Sequence, residues 1–266
     1  MNHMREQAIG VFDSGVGGLT VLKELIKTLP QEQFIYIGDT ARVPYGTRSK
    51  EVIVRFAREL AQFLLRKNVK CMVVACNTVS ATCMQDLAQL VPVPLLGVII
   101  PSVERIIATT KSKHVAVIGT PATIASNAYQ QALQARMPEI TIYAKACPLF
   151  VPITEEGLEQ SDIARLTARH YLSDIPATVD TVHLGCTHYP LLTDAIKQVV
   201  GNKHIIDSAQ PTAEAVRRML EEQSLLVTRN THTPNQLYMT DLSDRLKNIA
   251  VHFLGDADCD YQRAMI

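Results

Sequence analysis

No stretch of the 266-residue chain approaches the roughly 18 consecutive apolar residues needed to span a bilayer. The opening MNHMREQAIG shows no charged-then-apolar leader of the secretory kind. Excess charge of either sign is missing too: 26 Lys and Arg stand against 26 Asp and Glu, so no field draws in nucleic acid or an anionic membrane surface. These absences lead to the expectation of a soluble, cytoplasmic protein that acts on a small molecule, with neither nucleic acid nor membrane as partner. Six cysteines, at 71, 76, 83, 147, 186 and 259, without a secretory signal do not read as a disulfide framework and are expected to stay thiols. Most such thiols are small buried hydrophobes, so a chemical role needs something beyond presence. Low-complexity tracts and solenoid periods are also lacking.

What is present is a regular alternation. Apolar runs of strand length recur at 8–13, 34–39, 70–76, 95–99, 114–119, 140–146, 179–186 and 204–208, with a weaker one at 236–241. Between them lie segments of helical period, among them 18–29, 49–68, 80–90 and 124–137. That alternation predicts an α/β fold built from parallel βαβ units, and the length allows one large domain or two smaller ones.

A coarser repeat suggests two. The strand IGVFDSG (9–15) resembles VAVIGTP (115–121), each ending in a small hydroxyl residue, Ser14 or Thr120. At nearly equal distances downstream, Cys76 and Cys186 each end an apolar run and precede a polar pair. Two similar lobes, each a largely parallel sheet flanked by helices and related by a pseudo-two-fold, would bring these strand ends to opposite sides of one cleft. The expected division is 1–97 with 208–266 for the first lobe and 98–207 for the second, with the proline-marked segment VPVPLLG (91–97) as the crossing.

Three motifs invite chemistry. Gly15-Val16-Gly17 between strand and helix imitates a dinucleotide fingerprint, but Thr20 takes its third glycine position and Asp13 would repel a pyrophosphate. The plainer alternative is a tight turn whose acid caps the following helix. Cys76, followed by Asn77, Thr78 and Ser80, is placed where a helix N-terminus favours thiolate. Cys186 has the matching position, and in an extended segment His188 shares its face and can trade protons with it. A zinc site from His183, Cys186 and His188 is disfavoured, since strand alternation turns His183 away and no C-x2-C is present. Cys71, Cys83, Cys147 and Cys259 read as packing or surface residues.

DSGVGG (13–18), DTARVPYG (39–46), VACNT (74–78), CPLFVPITEEG (147–157) and GCTHYPLL (185–192) together resemble the glutamate racemases of the cofactor-independent amino-acid racemase superfamily. The resemblance implies interconversion of L- and D-glutamate, supplying D-glutamate for peptidoglycan, with no cofactor and no metal. It implies that Cys76 takes the Cα proton of D-glutamate and Cys186 that of L-glutamate, assisted by Asp13 and His188 respectively. A carboxylate beside a thiolate raises the thiol's pKa and so its strength as a base, which suits a weakly acidic Cα–H. Substrate contacts carry over to Asp13, Ser14, Tyr45, Gly46, Asn77, Thr78, Thr187 and His188, and the repeat adds Thr120. An acid of the 147–157 segment joins the histidine; Glu155 is preferred to Glu156. The glycines of 15–18 are expected to give substrate room beside the backbone. Family members imply a homodimer. The readings set against this one are a racemase for aspartate or a hydantoin, a nucleotide-binding oxidoreductase, and a non-catalytic regulator on the same fold.

Overall fold

The computed structural model describes residues 2–228, 233–255 and 259–266. Positions 1, 229–232 and 256–258, all within the stretches expected for the first lobe, lie outside the described residues.

The chain enters through a short α1 (Asn2–Arg5) and then alternates: β1 (Ile9–Asp13), α2 (Leu19–Thr28), β2 (Phe34–Gly38), α3 (Lys50–Arg66), β3 (Cys71–Val74), α4 (Asn77–Thr82), α5 (Met84–Ala88) and β4 (Leu95–Gly97). Helix α6 (Ile99–Thr109) carries it to β5 (His114–Gly119), α7 (Pro121–Ala125), α8 (Ala128–Arg136), β6 (Thr141–Ala146), α9 (Phe150–Glu155), α10 (Asp162–Leu172) and β7 (Thr181–Gly185). A 3-10 turn (Tyr189–Leu192), α11 (Thr193–Val200), β8 (His204–Asp207), α12 (Ala209–Glu222), β9 (Asn235–Met239), α13 (Asp244–Leu254) and β10 (Cys259–Arg263) complete it. No helix among the described residues is long and apolar enough to cross a membrane.

The strands form two sheets, ordered β10-β9-β2-β1-β3-β4 and β6-β5-β7-β8, and every pairing is parallel. The runs β2-β1-β3-β4 and β6-β5-β7-β8 have the same order, so the repeat seen in sequence is a repeat of topology. Period-two alternation explains the layers. On β1, Ile9 and Val11 face the cluster of Leu19, Leu22, Val216 and Leu220 from α2 and α12, while Phe12 faces Phe56, Leu60 and Leu64 of α3. On β5, Val115 and Val117 pack with Val103 and Leu133, and Ala116 and Ile118 with residues of α10 and α11. The central strands β1, β2, β3 and β7 are buried at every position, which is why they read as continuous apolar runs.

Several expected elements differ. The helix expected over 124–137 is two, α7 and α8, broken where Asn127 takes φ 57°. The helix expected to begin near residue 80 begins at Asn77 and breaks at Cys83, so that cysteine joins two helices rather than sitting inside one. The crossing between sheets follows β4 and runs through α6; the proline-marked 91–97 segment still belongs to the first sheet. Strand β10 was not expected at all.

Candidate active site

The site forms where β1, β3, β5 and β7 end, since parallel strands deliver all four carboxyl ends to one side of their sheets. Asp13 closes β1, fully buried, and its Oδ2 accepts from the Gly15 N–H at 3.0 Å. Its Oδ1 has no hydrogen-bond partner among the described residues. It does not cap α2, whose N-cap is Gly18 without a side-chain bond. The reason for the glycines is close packing. A Cβ on Gly18 would lie 2.4 Å from Asp13 Cβ, and one on Gly17 would lie 2.4 Å from His188 Nδ1 and 2.5 Å from Thr187 Oγ1. Gly17 and Gly18 therefore let the Asp13, Thr187 and His188 side chains pack directly on their backbone.

Cys76 follows β3 as the N-cap of α4, with its Sγ 3.5 Å from Ser14 Oγ. Burial, and next the Asp13 charge, push its thiol up to about 12, against the lowering contacts of Ser14 and the Val79 amide. The helix start was expected to favour thiolate; in a buried pocket, over a six-residue helix, burial wins. Cys186 follows β7, and no α-helix begins directly after it: His188 instead caps the 3-10 turn. Cys186 Sγ lies 3.9 Å from His188 Nδ1, and His188 Nε2 lies 3.0 Å from Glu155 Oε1. Burial pulls the His188 pKa down, but its contacts with Cys186 and Glu155 outweigh it and raise the ring to about 10. Asp13 is raised, chiefly by burial, with the His188 charge opposing. The two thiols thus have unlike neighbours, an acid on one side and an imidazolium on the other.

Both thiols line one small cavity. Ser14, Tyr45, Gly46, Asn77 and Thr78 line it from the first sheet's side, and Thr120, Thr187 and His188 from the second. Asp13 and Glu155 are not among the lining residues and stand behind Cys76 and His188. Its volume is about 20 Å³, room for one water at most. Hydrogen bonds cross it: Thr78 Oγ1 to Thr120 Oγ1 at 2.9 Å, Ala122 N–H to Gly46 O at 2.9 Å, and Thr20 Oγ1 to Thr187 O at 3.1 Å. Glu156 points elsewhere and pairs with Arg245 at 2.5 Å. His183, turned away from Cys186 and His188 as its strand position predicts, lies with its ring 4.7 Å from that of Tyr129.

The family model for Asp/Glu/Hydantoin racemase matches residues 9–216. The chain belongs to this family. It is 48% identical over 251 residues to a glutamate racemase of Geobacter metallireducens, covering 94% of this chain and 93% of that one. Its structure is similar to that of a Francisella tularensis glutamate racemase in complex with D-glutamate, with a TM-score of 0.92, 35% identity and 98% of both chains covered. A Thermus thermophilus glutamate racemase in complex with beta-chloro-D-alanine aligns with a TM-score of 0.89 at 44% identity, again over 98% of both.

Within this isomerase family the site has members that residue-by-residue reading passed over. Val43, Pro44 and Val151 give the cavity apolar walls. Asp39 is fully buried behind Tyr45, whose hydroxyl it accepts, and it also accepts from Thr240 at 2.9 Å. All four sit inside the segments 39–46 and 147–157, so their signal was the motif rather than the residue type. Thr123, Tyr129 and Ser208 carried no sequence signal; they meet the site only through folding.

Proposed function

We propose that the chain interconverts L- and D-glutamate without a cofactor, Cys76 and Cys186 acting as paired bases on opposite faces of Cα. The observation that carries this reading is that two thiols, one following a strand of each sheet, line a single small cavity. Removing a proton from one face and returning one to the other needs a group on each side, and two facing thiols do so without turning the substrate. One begins as thiolate and the other as thiol, and turnover exchanges them. Ser14 and the Val79 amide contact Cys76, and the His188 ring, paired with Glu155, faces Cys186. A thiol held high by burial and by Asp13 is a strong base once ionised. The hydroxyls and amides of Ser14, Asn77, Thr78, Thr120 and Thr187 suit the two carboxylates of glutamate and the charge that develops on removing the proton. The choice of glutamate is supported by relatives named glutamate racemase at up to 48% identity.

The same reading takes 1–97 with 208–266 and 98–207 as the two lobes, and a cytoplasmic homodimer as the working form that supplies D-glutamate for peptidoglycan. Circular dichroism of the purified protein with each glutamate enantiomer and no added cofactor tests the activity; a preference for aspartate would overturn the substrate. Cys76→Ala and Cys186→Ala are each expected to abolish racemisation with the fold intact. In D2O each is expected to retain at most Cα exchange of one enantiomer. Near-normal racemisation by either variant would end the two-base scheme.

A further inference from the structure

Asn77, directly after Cys76, is 2% exposed and lines the cavity. Its Oδ1 accepts from the Tyr129 hydroxyl at 2.5 Å and from the Ser208 hydroxyl at 3.2 Å. Its Nδ2 is buried with no hydrogen-bond partner among the described residues. A buried amide donor left unmade is costly, and native structures seldom keep one without a use. Tyr129 itself is held rigidly. It is fully buried on α8 among Val115, Val117 and Leu133, and its ring lies against His183.

From this geometry we infer that Tyr129, aided by Ser208, is a positioning residue for the reaction. Two hydroxyl donors on Oδ1 fix which way the Asn77 amide faces and reserve Nδ2 as a donor for a carboxylate of the substrate. Without them the amide is free to turn and offer its oxygen, which repels a carboxylate. The bond also spans the site: Asn77 belongs to the first sheet's side, and Tyr129 packs under the second. The Tyr129 bond to Asn77 therefore forms only when the two sides meet. This inference rests on glutamate as the substrate.

Tyr129→Phe removes the hydroxyl and keeps the ring. Its expected effect is a rise in KM for both glutamate enantiomers of roughly tenfold, the scale of one charge-assisted hydrogen bond, with kcat changed less than about threefold and the pH profile of kcat unmoved. Ser208→Ala is expected to act in the same direction and less. Calorimetric binding of D-glutamate to wild type, Tyr129→Phe, Asn77→Ala and the double variant gives a readout independent of turnover. If Tyr129 acts through Asn77, the double variant binds no more weakly than Asn77→Ala. Unchanged affinity in Tyr129→Phe, or losses that add in the double variant, would overturn the inference and leave the racemase reading standing. Wild-type protein that binds neither enantiomer would remove both.

Discussion

Burial alone would leave the His188 ring neutral, yet Cys186 on one nitrogen and Glu155 on the other raise it to about 10. A histidine whose folded pKa exceeds its ordinary value near 6.5 adds stability that is complete below pH 6.5 and is lost as pH rises towards 10. The thiols of Cys71, Cys76 and Cys147, raised to about 12, and of Cys83, raised to about 11, pull in the same direction from about pH 8 upward, as an unfolded chain ionises its cysteines near 8.5. Between pH 6.5 and 8 the wild type is therefore expected to lose on the order of 1–3 kcal/mol through the His188 ring. Glu155→Gln is expected to flatten that slope and to lower activity. Glu156→Gln, which removes only an exposed pair with Arg245, is expected to change neither. Thermal unfolding of the three proteins across this range, with activity at pH 8, decides it; equal slopes would show that Glu155 does not hold the proton on His188.

Among the elements, a buried ion pair fastens the N-terminal ends of the inner strands β2 and β3 of the first sheet. Lys70, just before β3, is fully buried and pairs with Glu32. Its Nζ also donates to Arg5 O at 2.8 Å and Leu225 O at 2.9 Å, and Glu32 Oε1 accepts from Val227 N at 2.9 Å. The start of β3, the end of α1 and the segment after α12 thus share one knot. Lys70→Met strands the Glu32 charge and is expected to cost about 3–5 kcal/mol in urea unfolding, most of it regained when Glu32 is replaced by Met as well. Losses that simply add would mean that the charges do not compensate each other. Such knots are invisible in sequence, where Lys70 stands at the start of the apolar run 70–76 and nothing local names Glu32 as its partner. Legibility followed burial: β1, β3, β5 and β7, covered on both faces, were evident as apolar runs, and the residues at their ends made up most of the site. Strand β10 was hidden because its Cys-Asp-Tyr-Gln-Arg is mostly exposed at the sheet edge. The break at Asn127 was hidden because a left-handed asparagine leaves the helical period almost intact. Tyr129 and Ser208 reach Asn77 from 52 and 131 positions away, a distance no local pattern encodes.

At the scale of the whole molecule, the cavity between the thiols, about 20 Å³, is smaller than a five-carbon dicarboxylate, and binding of glutamate is expected to require the two sides to move apart. Among the bonds that such a movement would break are Thr78 to Thr120, Thr20 to Thr187, Tyr129 to Asn77, Arg245 to Glu156 and the backbone bond from Ala122 N–H to Gly46 O. They are individually worth little net energy, since water replaces each on opening. A ligand that bridges both sides shifts the balance towards this arrangement. The Ala122 amide reports this directly, because its partner lies across the cleft. Its hydrogen exchange is expected to slow by about tenfold or more at saturating D-glutamate, while amides inside β1, bonded within one sheet, keep their rates. Equal exchange at Ala122 with and without ligand would mean that the rim does not open on the path to binding, and that glutamate reaches the thiols by another route.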